Sequence, residues 1–181
     1  MGWCGTGTSS QTPAGYPPGV TRLLSDADFP APISDRFLED YVVGSTYEYG
    51  TIAIEADAIV EFATAFDPQP FHVDPAAAAL GAYGGLIASG WHTVSLMMRV
   101  LVDHVISSVA SLGSSGCDEL RWLLPVRPGD ELSVRFEVLD CRPSRSKPDR
   151  GIVRARVEVR NQHGQVAMSV LTTIFLLTRA A

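Results

Sequence analysis

From Leu132 onward the chain alternates. Leu132, Val134, Phe136 and Val138 are apolar, with Ser133, Arg135 and Glu137 between them. Val153, Ala155, Val157 and Val159 repeat that period against Arg154, Arg156, Glu158 and Arg160. A period of two predicts strands with one buried face. Residues 165–178 read as a longer strand, apolar on both faces in its later part, and residues 117–124 as another. Residues 46–54 alternate more weakly but carry β-formers, and predict a first strand. Asn161-Gln162-His163-Gly164 and Arg127-Pro128-Gly129-Asp130 supply turn chemistry between strands. Elsewhere the period is helical. Ile59, Phe62, Ala63 and Phe66 stand at i, i+3, i+4 and i+7, which predicts an amphipathic helix over 55–66. Glu55 and Asp57 near its start suit the helix dipole. Residues 75–80 read as a short Ala-rich helix with Pro at its first position. Residues 90 to about 110 form the longest helical stretch. It is apolar nearly all round, which predicts burial.

The order is strand, helix, short helix, long helix, then about four strands. It predicts an α+β fold, an antiparallel sheet wrapped around a long central helix. Residues 1–34, rich in Gly, Ser, Thr and Pro, read as a flexible or loosely draped lead-in. Residues 35–181 then form a single domain, with no internal repeat.

Composition narrows the class. Of 181 residues, 46% are hydrophobic and 19% charged, a globular balance rather than a disordered one. The net charge of -6 comes with no Lys/Arg run, so no nucleic-acid surface is expected. A local basic cluster still suffices for a phosphorylated ligand. The three cysteines, Cys4, Cys117 and Cys141, lack metal-ligand spacing. They read as free thiols of a reducing, cytoplasmic compartment. No basic start leads into an apolar leader. No stretch approaches the roughly 18 uninterrupted apolar residues of a membrane span.

The densest chemistry lies in Phe66-Asp67-Pro68-Gln69-Pro70-Phe71-His72-Val73-Asp74-Pro75. On a continuous helix, residues five apart point about 140° from one another. Pro68 and Pro70 make that helix untenable, since neither donates an amide hydrogen and each restricts the residue before it. A turn there brings Asp67 and His72 toward one small volume. An acid and an imidazole around one water form a proton-transfer device. Taken alone, Asp67 is a solvated helix-end carboxylate and His72 a structural histidine. The pair is what suggests catalysis.

Asp67, Pro70 and His72 match the Asp-x-Asn-Pro-x-His motif of the MaoC-like acyl dehydratases, also called the (R)-specific enoyl-CoA hydratase family, with Gln69 in place of the usual Asn. Ala88-Ser89-Gly90-Trp91-His92-Thr93 resembles the segment that opens that family's central helix. Leu124-Pro125-Val126-Arg127-Pro128-Gly129-Asp130 resembles one of its strand openings, and Pro143-Ser144-Arg145-Ser146-Lys147-Pro148-Asp149-Arg150-Gly151 a hairpin of many members. The resemblance covers roughly residues 38–178. It implies a hotdog fold, and reversible syn addition of water across the α,β double bond of an enoyl thioester.

The resemblance implies Asp67 and His72 on the catalytic water, and the Gly90 N–H as donor to the thioester oxygen. Physical chemistry is consistent with the second role, because a helix start offers free amides and Gly permits close approach. Gln69, Ser89 and Trp91 are expected near the substrate, Ser89 also as helix cap. Arg145 and Lys147, with Arg142 and Arg150, are candidates for the phosphates of coenzyme A or of a phosphopantetheine carrier. Met97, Met98, His92 and Trp91 read as packing or pocket lining, and His104 and His163 as surface residues. The expected partners are an acyl-CoA or acyl-carrier thioester and a second copy of the chain, in a homodimer or dimer of dimers. No membrane, metal or redox cofactor is expected. Two alternatives stay open: a hotdog acyl-CoA thioesterase and a non-catalytic acyl-thioester-binding protein.

Overall fold

A computed structural model describes residues 23–179. One five-stranded antiparallel sheet organises it, in the order β1-β3-β4-β5-β2. The strands are β1 (Thr46–Ala53), β2 (Cys117–Trp122), β3 (Glu131–Pro143), β4 (Arg150–Arg160) and β5 (Val166–Leu177). The alternating residues do what their period dictates. Val134, Phe136, Val138, Val153, Ala155 and Val157 are buried on one face, and Val134 pairs with Val159 and Phe136 with Val157 across β3 and β4. The outer face carries the charged pairs, Arg135 with Glu48 and Arg156 with Glu137. The β1 ladder breaks between Tyr49 and Ile52. Gly50 sits in that break at φ 137°, where a Cβ would lie 2.8 Å from the Leu132 carbonyl oxygen.

The helical layer follows the predicted order. It comprises α1 (Ala56–Phe66), α2 (Pro70–Val73), α3 (Pro75–Leu80) and α4 (Gly90–Val100). The one-turn helix α2 is new, and the prolines explain it: Pro70 occupies its first position, where the missing N–H costs nothing. The central helix ends earlier than expected. After Val100 it becomes a π-helical turn, Leu101–Val105, and stops. It is also less buried than its all-round apolarity predicts. His92, Thr93, Met97, Val100, Leu101 and Val105 are buried, whereas Trp91, Met98 and Val102 are about half exposed. Met98 is therefore a surface residue of one chain, not core.

The described part of the lead-in is not loose. Leu24 bridges to Tyr47 on the outer edge of β1, its N–H donating to the Thr46 carbonyl and its carbonyl accepting from Glu48. Phe29 is buried and stacks on Tyr47 with ring centroids 3.9 Å apart. Arg36, also buried, donates to the carbonyls of Ala31, His104 and Val105. It thereby caps the open carbonyl end of the central helix. Residues 1–22, the rest of the expected lead-in and the site of Cys4, lie outside the described residues. Cys117 and Cys141 are free thiols. Among the described residues no helix is long and apolar enough to cross a membrane.

Candidate active site

The helix α1 ends at Asp67, whose backbone leaves helical geometry at φ -153°, ψ 66°. The Gln69 N–H then donates to the Asp67 carbonyl at 2.7 Å, and the His72 N–H to the Gln69 carbonyl at 2.8 Å. Two tight turns around the prolines thus fold the motif back on itself. They bring His72 Nε2 to 3.4 Å from Asp67 Oδ2. The Asp67 carboxylate is held from two sides. Ser89 Oγ donates to Oδ2 at 2.7 Å and Gln69 Nε2 donates to Oδ1 at 2.7 Å. Chiefly the Ser89 hydroxyl, then the Gln69 amide, hold the Asp67 pKa below its ordinary value. The carboxylate therefore stays ionised well into acid.

His72 is 5% exposed, and its Nδ1 lies 2.7 Å from the Ile87 carbonyl oxygen. A carbonyl only accepts, so Nδ1 carries the hydrogen and the neutral ring leaves a lone pair on Nε2. Oδ2 and Nε2 are thus two acceptors side by side with no proton between them. A single water can donate one O–H to each.

The amide at the start of α4 lies over the same space. Ser89 is the cap of that helix, its Oγ accepting from the Trp91 N–H at 3.2 Å. Gly90 is the first helical residue, so its N–H has no acceptor one turn back. A cavity of about 440 Å³ joins these groups; Asp67, Gln69, His72, Gly90 and Trp91 all line it. Ser89 is fully buried behind it and reaches it only through Asp67.

Arg145 and Lys147 are not brought there. Their hairpin joins β3 to β4 beside Leu177, while the cavity lies beside Ala167, near Met168, which pairs with Trp122. Nine strand residues separate the two ends, about 30 Å. Within one chain the hairpin is at the wrong end of the sheet.

Trp122 was not anticipated from the sequence. Its ring lies on Gly90, so that a Cβ at Gly90 would collide with it. Trp91 packs on it edge to face at 5.5 Å. Tyr83, Phe71 and Leu123 complete the apolar wall. Of the other histidines, His92 is packed on Phe62 with centroids 4.7 Å apart, its pKa lowered by burial, and His163 is exposed. His104 is no plain surface residue: it pairs with Asp26 at 2.7 Å and stacks on Tyr49.

A sheet curled on one long helix, with an acid–imidazole pair and a free amide at that helix's N-terminus, defines a hotdog protein with a polar site in an apolar pocket. A family model described as MaoC like domain matches residues 40–161, and the chain belongs to that family. A MaoC-like dehydratase from Rhodospirillum rubrum is similar at 42% identity with a TM-score of 0.72, over 81% of this chain and 99% of that one. The unliganded R-hydratase PhaJ1 from Pseudomonas aeruginosa is similar at 28% identity with a TM-score of 0.64, over 79% of this chain and 86% of that one. The uncharacterized protein YdeM of Bacillus subtilis is 30% identical over 125 residues, covering 69% of this chain and 87% of the relative.

Ser89 gives the first prediction. Changing Ser89→Ala removes the leading cause of the depressed Asp67 pKa, which then rises toward the ordinary carboxylate value. The acid limb of a pH–rate profile recorded from about pH 2 to pH 7, a window that reaches below the ordinary carboxylate range, moves to higher pH, because the ionised carboxylate is lost sooner. The sign for stability is the same. A depressed folded pKa contributes stability above the unfolded value, lost only as pH falls through the folded one. Melting curves recorded alongside account for the lost cap, about 1 kcal/mol.

Proposed function

We propose that this protein is a hydro-lyase that adds water reversibly across the α,β double bond of an enoyl thioester, an (R)-specific enoyl-CoA hydratase or 3-hydroxyacyl thioester dehydratase. The observation that carries this reading is the pair of facing acceptors, Asp67 Oδ2 and His72 Nε2, 3.4 Å apart on a cavity that also holds Gly90. A water donating to both presents its own lone pair to the substrate. As that oxygen bonds to Cβ, the π electrons move through Cα onto the thioester oxygen, where the Gly90 N–H and the positive end of α4 stabilise the charge. An imidazole is ordinarily more basic than a carboxylate, and two donors weaken Asp67 further as a base. His72 Nε2 therefore takes the proton, and the fixed charge of Asp67 stabilises the imidazolium. The same proton is returned to Cα as the enolate collapses. No atom is left over: one water hydrogen ends on Cα, the other on the new hydroxyl.

The pocket is lined by aromatic and aliphatic side chains, which suits the acyl part of such a substrate. The catalytic groups are Asp67, His72 and Gly90, with Gln69 and Ser89 positioning Asp67. The thioester is the substrate and no further cofactor is required. We place the enzyme in the cytoplasm, as a homodimer formed through the open edge of β2. A hotdog thioesterase is the competing reading. Incubation with crotonyl-CoA separates the two: loss of the conjugated-double-bond absorbance without free thiol is expected. Thiol release with the double bond intact would replace the hydratase reading by the thioesterase one.

A further inference from the structure

We infer that the basic β3–β4 hairpin, through Arg145 and Lys147, binds the phosphate end of a pantetheine thioester held in the cavity of the other subunit. The inference rests on the hydratase reading and adds where the carrier end of the substrate goes. Two observations lead to it. First, Arg145 and Lys147 are exposed and form no ion pair among the described residues, whereas Arg142 and Arg150 in the same hairpin are paired with Asp140 and Asp149. Second, of the two edges of the sheet, β1 is covered by Leu24 and β2 pairs with no further strand among the described residues. An open edge is a template for another strand.

A second copy fits that edge. Arg121 lies opposite Ser169 and Asp118 opposite Leu171, so both charges project from the outer face of the sheet. An antiparallel two-fold pairing centred between Glu119 and Leu120 sets Asp118 across from Arg121 of the partner subunit, twice. Opposite charges directly across strands are favourable. On the helix side the same register sets Trp122 opposite Cys117 of the partner subunit. Trp91, Leu123 and Leu124, exposed in the single chain, lie beside this edge.

That two-fold reverses the problem of the distant hairpin. Cys117 pairs with Thr172 and Arg150 with Leu177. Across the dyad, the partner's Thr172 therefore lies level with this chain's Trp122, and the partner's hairpin comes five residues beyond it, at the same end as this chain's cavity. Five residues along the strand and three strands across come to roughly 20 Å. A pantetheine arm of about a dozen bonds, the length of four extended residues, spans roughly 14 Å. The long side chains of Arg145 of the partner subunit and Lys147 of the partner subunit cover the rest. Arg127, next in sequence to the cavity-lining Val126, is bound to the Tyr83 carbonyl at 2.6 Å.

The test uses the double variant Arg145→Ala/Lys147→Ala. It is expected to raise KM for crotonyl-CoA about tenfold, the equivalent of ~1.4 kcal/mol. Hydration of the crotonyl thioester of N-acetylcysteamine, which carries no phosphate, is expected to be unchanged. That control separates the two claims: no hydration of either thioester by the native chain would overturn the hydratase reading, whereas equal KM values for native and variant chains with crotonyl-CoA would overturn only the hairpin. Crotonyl-4′-phosphopantetheine is the third substrate. A hairpin effect as large on it as on crotonyl-CoA assigns the contact to the phosphate shared with carrier proteins, and an effect on crotonyl-CoA alone assigns it to the nucleotide phosphates. Mixed dimers of the hairpin variant with Asp67→Asn decide the geometry. The one intact catalytic pair then faces the one intact hairpin across the dyad, and the native KM is expected. A KM as high as that of the hairpin variant would place the contact within one chain and overturn the proposal.

Discussion

Exchanging Asp67→Asn is expected to lower kcat for enoyl-thioester hydration by about 10²–10⁴-fold while the fold stays intact. The side chain keeps its size, and Ser89 and the Gln69 amide still find polar atoms. What disappears is the fixed negative charge 3.4 Å from His72 Nε2. The proton taken by His72 then has no counter-charge, and the water loses one of its two acceptors. His72→Ala is expected to cost about as much. The double variant is expected to be hardly worse than either single one, since groups that act as a unit lose their effect together. Steady-state kinetics on the three variants check this. Unaltered turnover in Asp67→Asn would refute the assignment.

The second large effect is expected at Gly90. In Gly90→Ala the new methyl meets the ring of Trp122, and a ring and a helix N-terminus cannot both keep their places. The amide is displaced from the thioester oxygen, at a cost of about 10²–10³ in kcat, the usual consequence of losing one oxyanion donor. A second change, Trp122→Ala, vacates the collision. Partial recovery of kcat in Gly90→Ala/Trp122→Ala is therefore expected, although Trp122→Ala by itself widens the pocket and raises KM. A Gly90→Ala chain with native kcat would show that the amide takes no part.

These effects trace back unevenly to the sequence. The strands were legible because one buried face writes itself into a period of two, as Val134, Phe136 and Val138 do. The Asp67–His72 pairing was legible because prolines forbid the helix that would part them. The Ile87 carbonyl that fixes the His72 tautomer left no trace: it is a backbone group 15 residues away. The contact of Trp122 with Gly90 was equally hidden, being set by the turn of a strand at the sheet edge. The central helix misled for a different reason. Its all-round apolarity predicts burial, yet Trp91, Met98 and Val102 are about half exposed in a single chain. Composition records that a face avoids water without saying what covers it. The basic hairpin shows the complementary limit. Its charges were visible, but only the strand register places them at the far end from the cavity of their own chain.

The most direct test is stereochemical. If one water, held by Asp67 and His72 on one side of the bound enoyl group, supplies both the hydroxyl and the proton on Cα, both new bonds form on the same face. Hydration of crotonyl-CoA in D₂O, followed by proton NMR of the product 2-deuterio-3-hydroxybutyryl-CoA, reads that geometry from the coupling between the C2 and C3 hydrogens. Purely syn addition is the expected result. Anti addition, or a mixture of the two diastereomers, would mean that oxygen and proton arrive from different places and would contradict a shared water between these two side chains.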